Sequence, residues 1–170
     1  MTTNQELSSE MQQSLGPVLG RVPSGVFILT AGNGQGNTTG MLASWVMQAS
    51  FNPPMVTVAV NQSRYLNQWF KDSSNLVLNL VGENQMDFLK QYGKGFEPDE
   101  PAFEGMETKL SESGLPVLTT AIGYMEGKIV NSISAGDHHI YLVEISQGEL
   151  STTDESPAPM VHIRKNGFNY

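Results

Sequence analysis

The chain contains no cysteine, which excludes disulfides, cysteine-ligated zinc, iron–sulfur clusters and any thiol nucleophile. Positive charge is also short. Nine Lys and Arg stand against 17 Asp and Glu, a formal net charge of −8. A nucleic-acid binder carries a basic surplus to neutralise phosphates, and docking on anionic lipid needs clustered Lys and Arg. Neither nucleic acid nor a membrane is therefore expected as a partner. Charge of either sign makes up only 15% of the residues, against about 25% in an average soluble domain. Much of the surface must be uncharged polar or covered by a second subunit. Long apolar runs are missing as well: Val26-Phe27-Ile28-Leu29 falls far short of the ~20 residues that span a bilayer. Residues 1–13 have neither the cationic start nor the apolar stretch of a signal peptide. A cytoplasmic protein is the expectation.

The 170 residues make one domain's worth of chain. We expect a polar leader and a short helix over residues 1–20, and a single domain over 21–170. Residues 25–31 form a dense apolar run bounded by glycine, too short for a typical helix, and read as a buried strand. The following Gly32-Asn33-Gly34-Gln35-Gly36-Asn37 fails as a dinucleotide loop, because the third glycine of G-x-G-x-x-G falls at Asn37 and no helical pattern follows. It reads as a hairpin tip. Residues 40–49 return as a second strand, and Asn52-Pro53-Pro54 stops it. Val56, Val58 and Val60 alternate with Met55, Thr57 and Ala59 as in a strand with one buried face.

Tyr65, Leu66, Trp69 and Phe70 recur at helical spacing. Residues 75–81 form another strand, with Leu76, Leu78 and Leu80 on one face, and Met86, Leu89 and Tyr92 stripe a second short helix. Residues 93–116 carry little periodicity and read as a long irregular loop. Two long strands, 117–130 and 138–150, follow, joined by a turn around 134–137. After a linker at 151–159, residues 160–164 make a last strand. The order predicts a mainly β protein, an antiparallel barrel with a few short helices rather than a doubly wound sheet.

Candidates for chemistry are few. His138 and His139 are neighbours in a strand and point to opposite faces, so they do not share a metal easily. Neither H-E-x-x-H nor G-x-S-x-G occurs, and no metal is expected. A series of short motifs remains. Gly40-Met41-Leu42-Ala43-Ser44-Trp45 leads to Ser50 and Asn52-Pro53-Pro54. Phe103-Glu104-Gly105, Gly114-Leu115-Pro116-Val117-Leu118 and Gly136-Asp137-His138 follow in order.

Together these motifs, spanning about 22 to the C-terminus, resemble the signature of the flavin reductase-like family. Within it, His162-Ile163-Arg164-Lys165 and the Ala43-Ser44-Trp45 segment are most similar to the C-terminal flavin reductase domain of cyanobacterial flavodiiron proteins. The resemblance implies a homodimeric split β-barrel that binds FMN, FAD being less expected, and takes hydride from NADPH or NADH. In flavodiiron chains such a domain passes electrons towards flavodoxin-like and di-iron domains. An alternative of another class is an FMN-binding electron-transfer module that a partner protein reduces without nicotinamide.

The resemblance assigns the flavin ring edge and ribityl chain to the segment carrying Ala43, Ser44, Trp45, Gln48, Ala49 and Ser50. Small residues let backbone approach a flat ring, and polar ones supply hydrogen bonds. Trp45 either flanks the ring or is a core tryptophan. The phosphate falls to the turn with Ser63 and Arg64, since in a chain of net charge −8 cationic compensation must be local. Leu66 stands where the family often has Thr, and Val143 where many relatives have Gly. His138 corresponds to the family histidine near flavin and nicotinamide. Its implied role is positioning, with Asp137 fixing its tautomer or the turn.

Overall fold

A computed structural model describes residues 8–151 and 157–169. Helix α1 (Ser9–Gly20) starts where the Ser8 hydroxyl accepts the Met11 N–H at 3.2 Å, a side-chain N-cap. After β1 (Ser24–Gly25), strands β2 (Phe27–Gly32) and β3 (Thr38–Ala43) form a hairpin. Its tip is the Gly/Asn run, where Asn33 Oδ1 accepts the N–H groups of Gln35 and Asn37 and Gly34 and Gly36 take positive φ. Strands β4 (Val46–Phe51) and β5 (Pro54–Asn61), helix α2 (Leu66–Asp72), β6 (Asn75–Leu80) and helix α3 (Met86–Tyr92) follow. The chain ends with β7 (Thr108–Leu110), β8 (Pro116–Leu118), β9 (Gly123–Ala135), β10 (His138–Leu150) and β11 (Val161–His162).

Seven strands pair antiparallel in the order β3-β2-β6-β9-β10-β5-β4. The two edges, β3 and β4, are consecutive in the chain, so the sheet curls back on itself and forms a barrel split at Ser44-Trp45. The expected mainly β, antiparallel split barrel is therefore what the residues build. The alternation over 55–60 is borne out: Val56, Val58 and Val60 enter the barrel core beside Leu29, Leu76, Leu78 and Val143. Leu80 packs against the same cluster. Ile28 of β2, with Val26 just before it and Val81 just after β6, belongs to a second core that includes Phe88 and Tyr92 of α3.

Asn79, fully buried in β6, ties the layers together. Its amide donates to the Ile28 carbonyl at 2.9 Å and Thr30 Oγ1 at 3.2 Å, and its carbonyl accepts the Leu118 N–H at 2.8 Å. A buried amide is stable only when satisfied in this way. Glu126, buried in β9, plays a similar part towards the β7–β8 hairpin, accepting from Ser111 Oγ, both Ser113 donors and the Glu112 N–H.

Three expectations need correction. The strand expected over 40–49 breaks at Ser44-Trp45, because one continuous strand cannot lie on both edges of the sheet. The strand expected from 117 begins at Gly123, and residues 116–118 instead pair with β7, which gives part of the expected loop 93–116 regular structure. On α3 the buried stripe is Phe88 and Tyr92, one turn apart, while Met86 is exposed. The short helix expected within 1–20 is present as α1, and it docks on the C-terminal segment: the Gly167 N–H donates to the Gly16 carbonyl at 2.7 Å and the Arg164 N–H to the Gly20 carbonyl at 2.9 Å. A Cβ on Gly20 would meet the Arg164 carbonyl at 2.7 Å, so this close docking needs glycine. Residues 1–7 of the expected leader and 152–156 of the expected linker lie outside the described residues.

Candidate functional site

Where the barrel splits, the ends of β3 and β5 diverge and leave a cleft of about 280 Å³. Met41, Leu42 and Ala43 of β3 line one wall, and Ala59, Val60 and Asn61 of β5 another. Leu89 and Tyr92 of α3 close the far side, while Arg64 and His138 stand among its polar groups. The sheet pleat explains the histidines. His138 opens β10 opposite Asn61 and faces the cleft, while His139 turns towards Tyr141, 6.1 Å between rings. The opposite orientation expected for the pair is observed.

His138 is almost fully buried, and its Nδ1 lies 2.7 Å from Asp137 Oδ1. That hydrogen bond holds the Asp137 carboxyl below its ordinary range although the side chain is solvent-exposed. It also fixes the ring: with Nδ1–H donating to the carboxylate, Nε2 of the neutral imidazole accepts. The turn is clamped from β5. The Gln62 N–H donates to the Asp137 carbonyl at 2.9 Å and its side-chain amide to the Gly136 carbonyl at 2.9 Å. Gly136, at φ +62, takes the left-handed conformation this two-residue turn requires. Trp45 is half-buried, not a core residue. Its ring lies 4.8 Å from that of His138, and the Arg164 guanidinium lies 5.2 Å from its centroid. A second depression of about 410 Å³ shares Ser44 and Ala59 with the cleft and is lined by Trp45, Met47, Ile140 and Arg164.

Two residues that line the cleft, Ser44 and Tyr92, carry hydroxyls that are buried without a hydrogen-bond partner. At the polar end, the exposed Arg64 side chain makes no hydrogen bond or ion pair among the described residues. It also lines a further groove with Ser63, Lys94 and Glu97. Ser63 donates both its N–H and its hydroxyl to Asn61 Oδ1, at 2.9 and 2.7 Å. The structure thus brings Ala43, Ser44, Arg64 and His138 to one cleft, puts Trp45 and Asp137 beside it and Ser63 on the Arg64 side. It does not bring Gln48, Ala49 and Ser50 there: they run outward along β4, and Gln48 lines a depression with Met55 and Met125. A largely apolar cleft, with Ala43, Ser44 and Ala59 among its lining, and an unpaired guanidinium beside it fit a flat heteroaromatic group with an anionic tail. No group of three or more His, Asp or Glu among the described residues is placed to hold a metal.

Sequence reasoning missed several lining residues. His162 reaches the cleft because β11 pairs with β1, Ser24 opposite His162; the motif around it was visible, its position was not. Tyr92 was legible only as part of a helical stripe. Asn61 and Arg164 carried no signal beyond their neighbours.

Comparison with known proteins agrees with this geometry. Diflavin flavoprotein A 1 of Synechocystis sp. is 35% identical over 161 residues, 94% of this chain but 28% of that protein, so the chain spans little more than a quarter of its relative's length. Among solved structures, the NADH:FAD oxidoreductase SgcE6 of Streptomyces globisporus superposes with a TM-score of 0.81 at 21% identity, over 94% of this chain and 92% of that one. Flavin reductase HpaC, solved with NADP+, gives 0.75 at 25% identity over 93% and 95%. The model of the flavin reductase like domain matches residues 19–169, nearly the whole barrel together with the end of α1 that docks on it, and the chain belongs to that family.

Proposed function

We propose that the cleft binds FMN and that the chain is an NAD(P)H-dependent flavin reductase. The observation that carries the reading is the unpaired Arg64 guanidinium at the mouth of an apolar cleft in a chain of net charge −8. A cation left without a carboxylate among so many acids suits a phosphate, which it can fork onto with two hydrogen bonds. A bound flavin supplies the chemistry of accepting a hydride, two electrons and one proton, from C4 of a reduced nicotinamide. The protein's part is to hold the two rings face to face at about 3–3.5 Å and keep water out. Ser44 offers its free hydroxyl to the ring edge. His138, fixed by Asp137 and Gln62, presents Nε2 as a positioning group, and Trp45 forms the adjoining wall.

A homodimer belongs to this reading. Ile133, Ile140 and Ala59 lie side by side across β9, β10 and β5, flanked by Leu142, Thr57 and Met47. Met47 and Ile133 are more than half exposed. A second copy packed there would cover an apolar sheet face beside the Trp45 depression. As the chain matches only part of a diflavin flavoprotein, the proposal extends to a reductase module that feeds electrons to flavodoxin-like and oxygen-reducing di-iron domains.

The test is spectroscopic. The purified chain is titrated with FMN, and the visible flavin band is followed anaerobically after adding NADH or NADPH. Bleaching at a stoichiometric donor supports the reductase. A band that persists with both donors leaves a flavin carrier reduced by another protein, and no FMN binding refutes both.

A further inference from the structure

We propose that the Tyr92 hydroxyl is itself a flavin-binding group of this cleft, donating a hydrogen bond to an acceptor atom of the bound cofactor; the inference rests on the flavin reading above. Tyr92 is 1% exposed, and its hydroxyl is one of two buried side-chain polar atoms left without a partner among the described residues. The other, Ser44 Oγ, lines the same cleft. Buried phenol groups are almost always paired, and an unpaired one weakens a fold that Phe would serve better. A ligand acceptor at this point of the cleft would satisfy it.

The ring cannot swing its hydroxyl to solvent. Phe96 and Phe103 pack on it with centroids 5.6 and 6.1 Å away, Phe88 lies at 6.5 Å, and Gly40 abuts its edge. Burial raises the phenol's pKa, so the group stays protonated and a donor. The placement also links ligand to cover. The Gly95 N–H donates to the Tyr92 carbonyl at 3.1 Å, and a Cβ on Gly95 would meet Arg64 Nη1 at 2.8 Å. Tyr92 thus lines the cleft and anchors, through its ring and carbonyl, the segment that backs Arg64.

Tyr92→Phe removes the hydroxyl and keeps the ring. Two quantities are measured on wild type and variant: the melting temperature of the ligand-free protein and the Kd for FMN by flavin fluorescence quenching. The expected pair of changes has opposite senses. The ligand-free variant melts higher, by about 2 to 4 °C, because a buried unpaired donor is gone, while its Kd rises about 5- to 30-fold. An unchanged Kd overturns the proposal whatever the melting temperature does. A raised Kd with an unchanged or lower melting temperature also overturns it, since the hydroxyl then has a partner within the ligand-free protein. If wild type binds no flavin, the functional reading fails and this inference with it. If wild type binds and the variant binds equally well, only the inference fails.

Discussion

Gly40→Ala tests the packing that shapes the cleft, because two accounts of it differ in sign. Gly40 lies in β3 at a φ outside the left-handed region, so alanine fits its backbone. On backbone entropy alone, the change stabilises by about 0.4–1 kcal/mol. The surroundings oppose it. A Cβ would collide with Tyr92 Cε1, sit 2.9 Å from Cδ1 and approach Phe103 Cζ to 3.4 Å, against an optimal carbon–carbon separation of about 3.5–4.0 Å.

The ring would have to retreat by up to about 1 Å among Phe88, Phe96 and Phe103, in a site that is 1% exposed. Overpacking of this kind costs roughly 1–3 kcal/mol, which at the middle of both ranges leaves a net loss of about 1.3 kcal/mol. For a chain of this size that lowers the melting temperature by roughly 3–5 °C. The assay is thermal unfolding of Gly40→Ala, of Tyr92→Leu, which trims the ring, and of the double variant. The coupling should be favourable, the double variant being more stable than the two single losses together would give. A Gly40→Ala protein as stable as wild type, or more stable, refutes the reasoning, since the Tyr92 contact would then impose nothing on β3.

Arg64→Ala should raise the Kd for FMN about 10- to 100-fold, the size of a charge-assisted phosphate contact, with the melting temperature unchanged; an unchanged Kd in titration removes Arg64 from the site. Asn79→Leu strands the Ile28 carbonyl and the Leu118 N–H and should cost about 2–4 kcal/mol, read from urea unfolding at constant slope. Acid provides a further check. Burial pushes the Glu126 carboxyl up, but hydrogen bonds from Ser111, Ser113 and Glu112 outweigh it and leave its pKa below the ordinary value. A depressed carboxylate stabilises the fold above its unfolded pKa, and that contribution disappears as pH falls through the folded one. Glu126→Gln should therefore abolish one acid-dependent loss of stability confined to pH values below about 4.5, and hydrogen exchange should find residues 111–115 opening first as wild type is acidified. Persistence of the same acid transition in the variant would count against it.

Local chemistry made much of the fold legible. Val56, Val58 and Val60 advertise a buried face, since side chains alternate with period two. The Gly/Asn tip marks a hairpin, and Pro53-Pro54 marks a strand end. The opposite orientations of His138 and His139 follow from the same pleat. Motif order carried the family. What the sequence could not show is where distant segments meet. Residues 40–49 read as one strand because nothing local reveals that β3 and β4 lie on opposite edges of the sheet. Only closure of the sheet decides that the chain must break at Ser44-Trp45, and that break makes the cleft.

The same limit governs the site. Ala43, Ser44, Arg64 and His138, which share the cleft, were identifiable by type and motif, each being small, polar or cationic. Gln48, Ala49 and Ser50 share their motif but diverge along β4, because contiguity in a strand does not keep residues at one end of it. His162 and Tyr92 enter through the pairing of β11 with β1 and the packing of α3 on β3. These are long-range contacts whose partners lie more than 50 residues away along the chain. By itself the sequence determined most of the strands, the family and the chemical types present. Tertiary structure alone decided which of those groups share a cleft, and which buried hydroxyls are left without a partner, because such proximity is created only when the sheet closes.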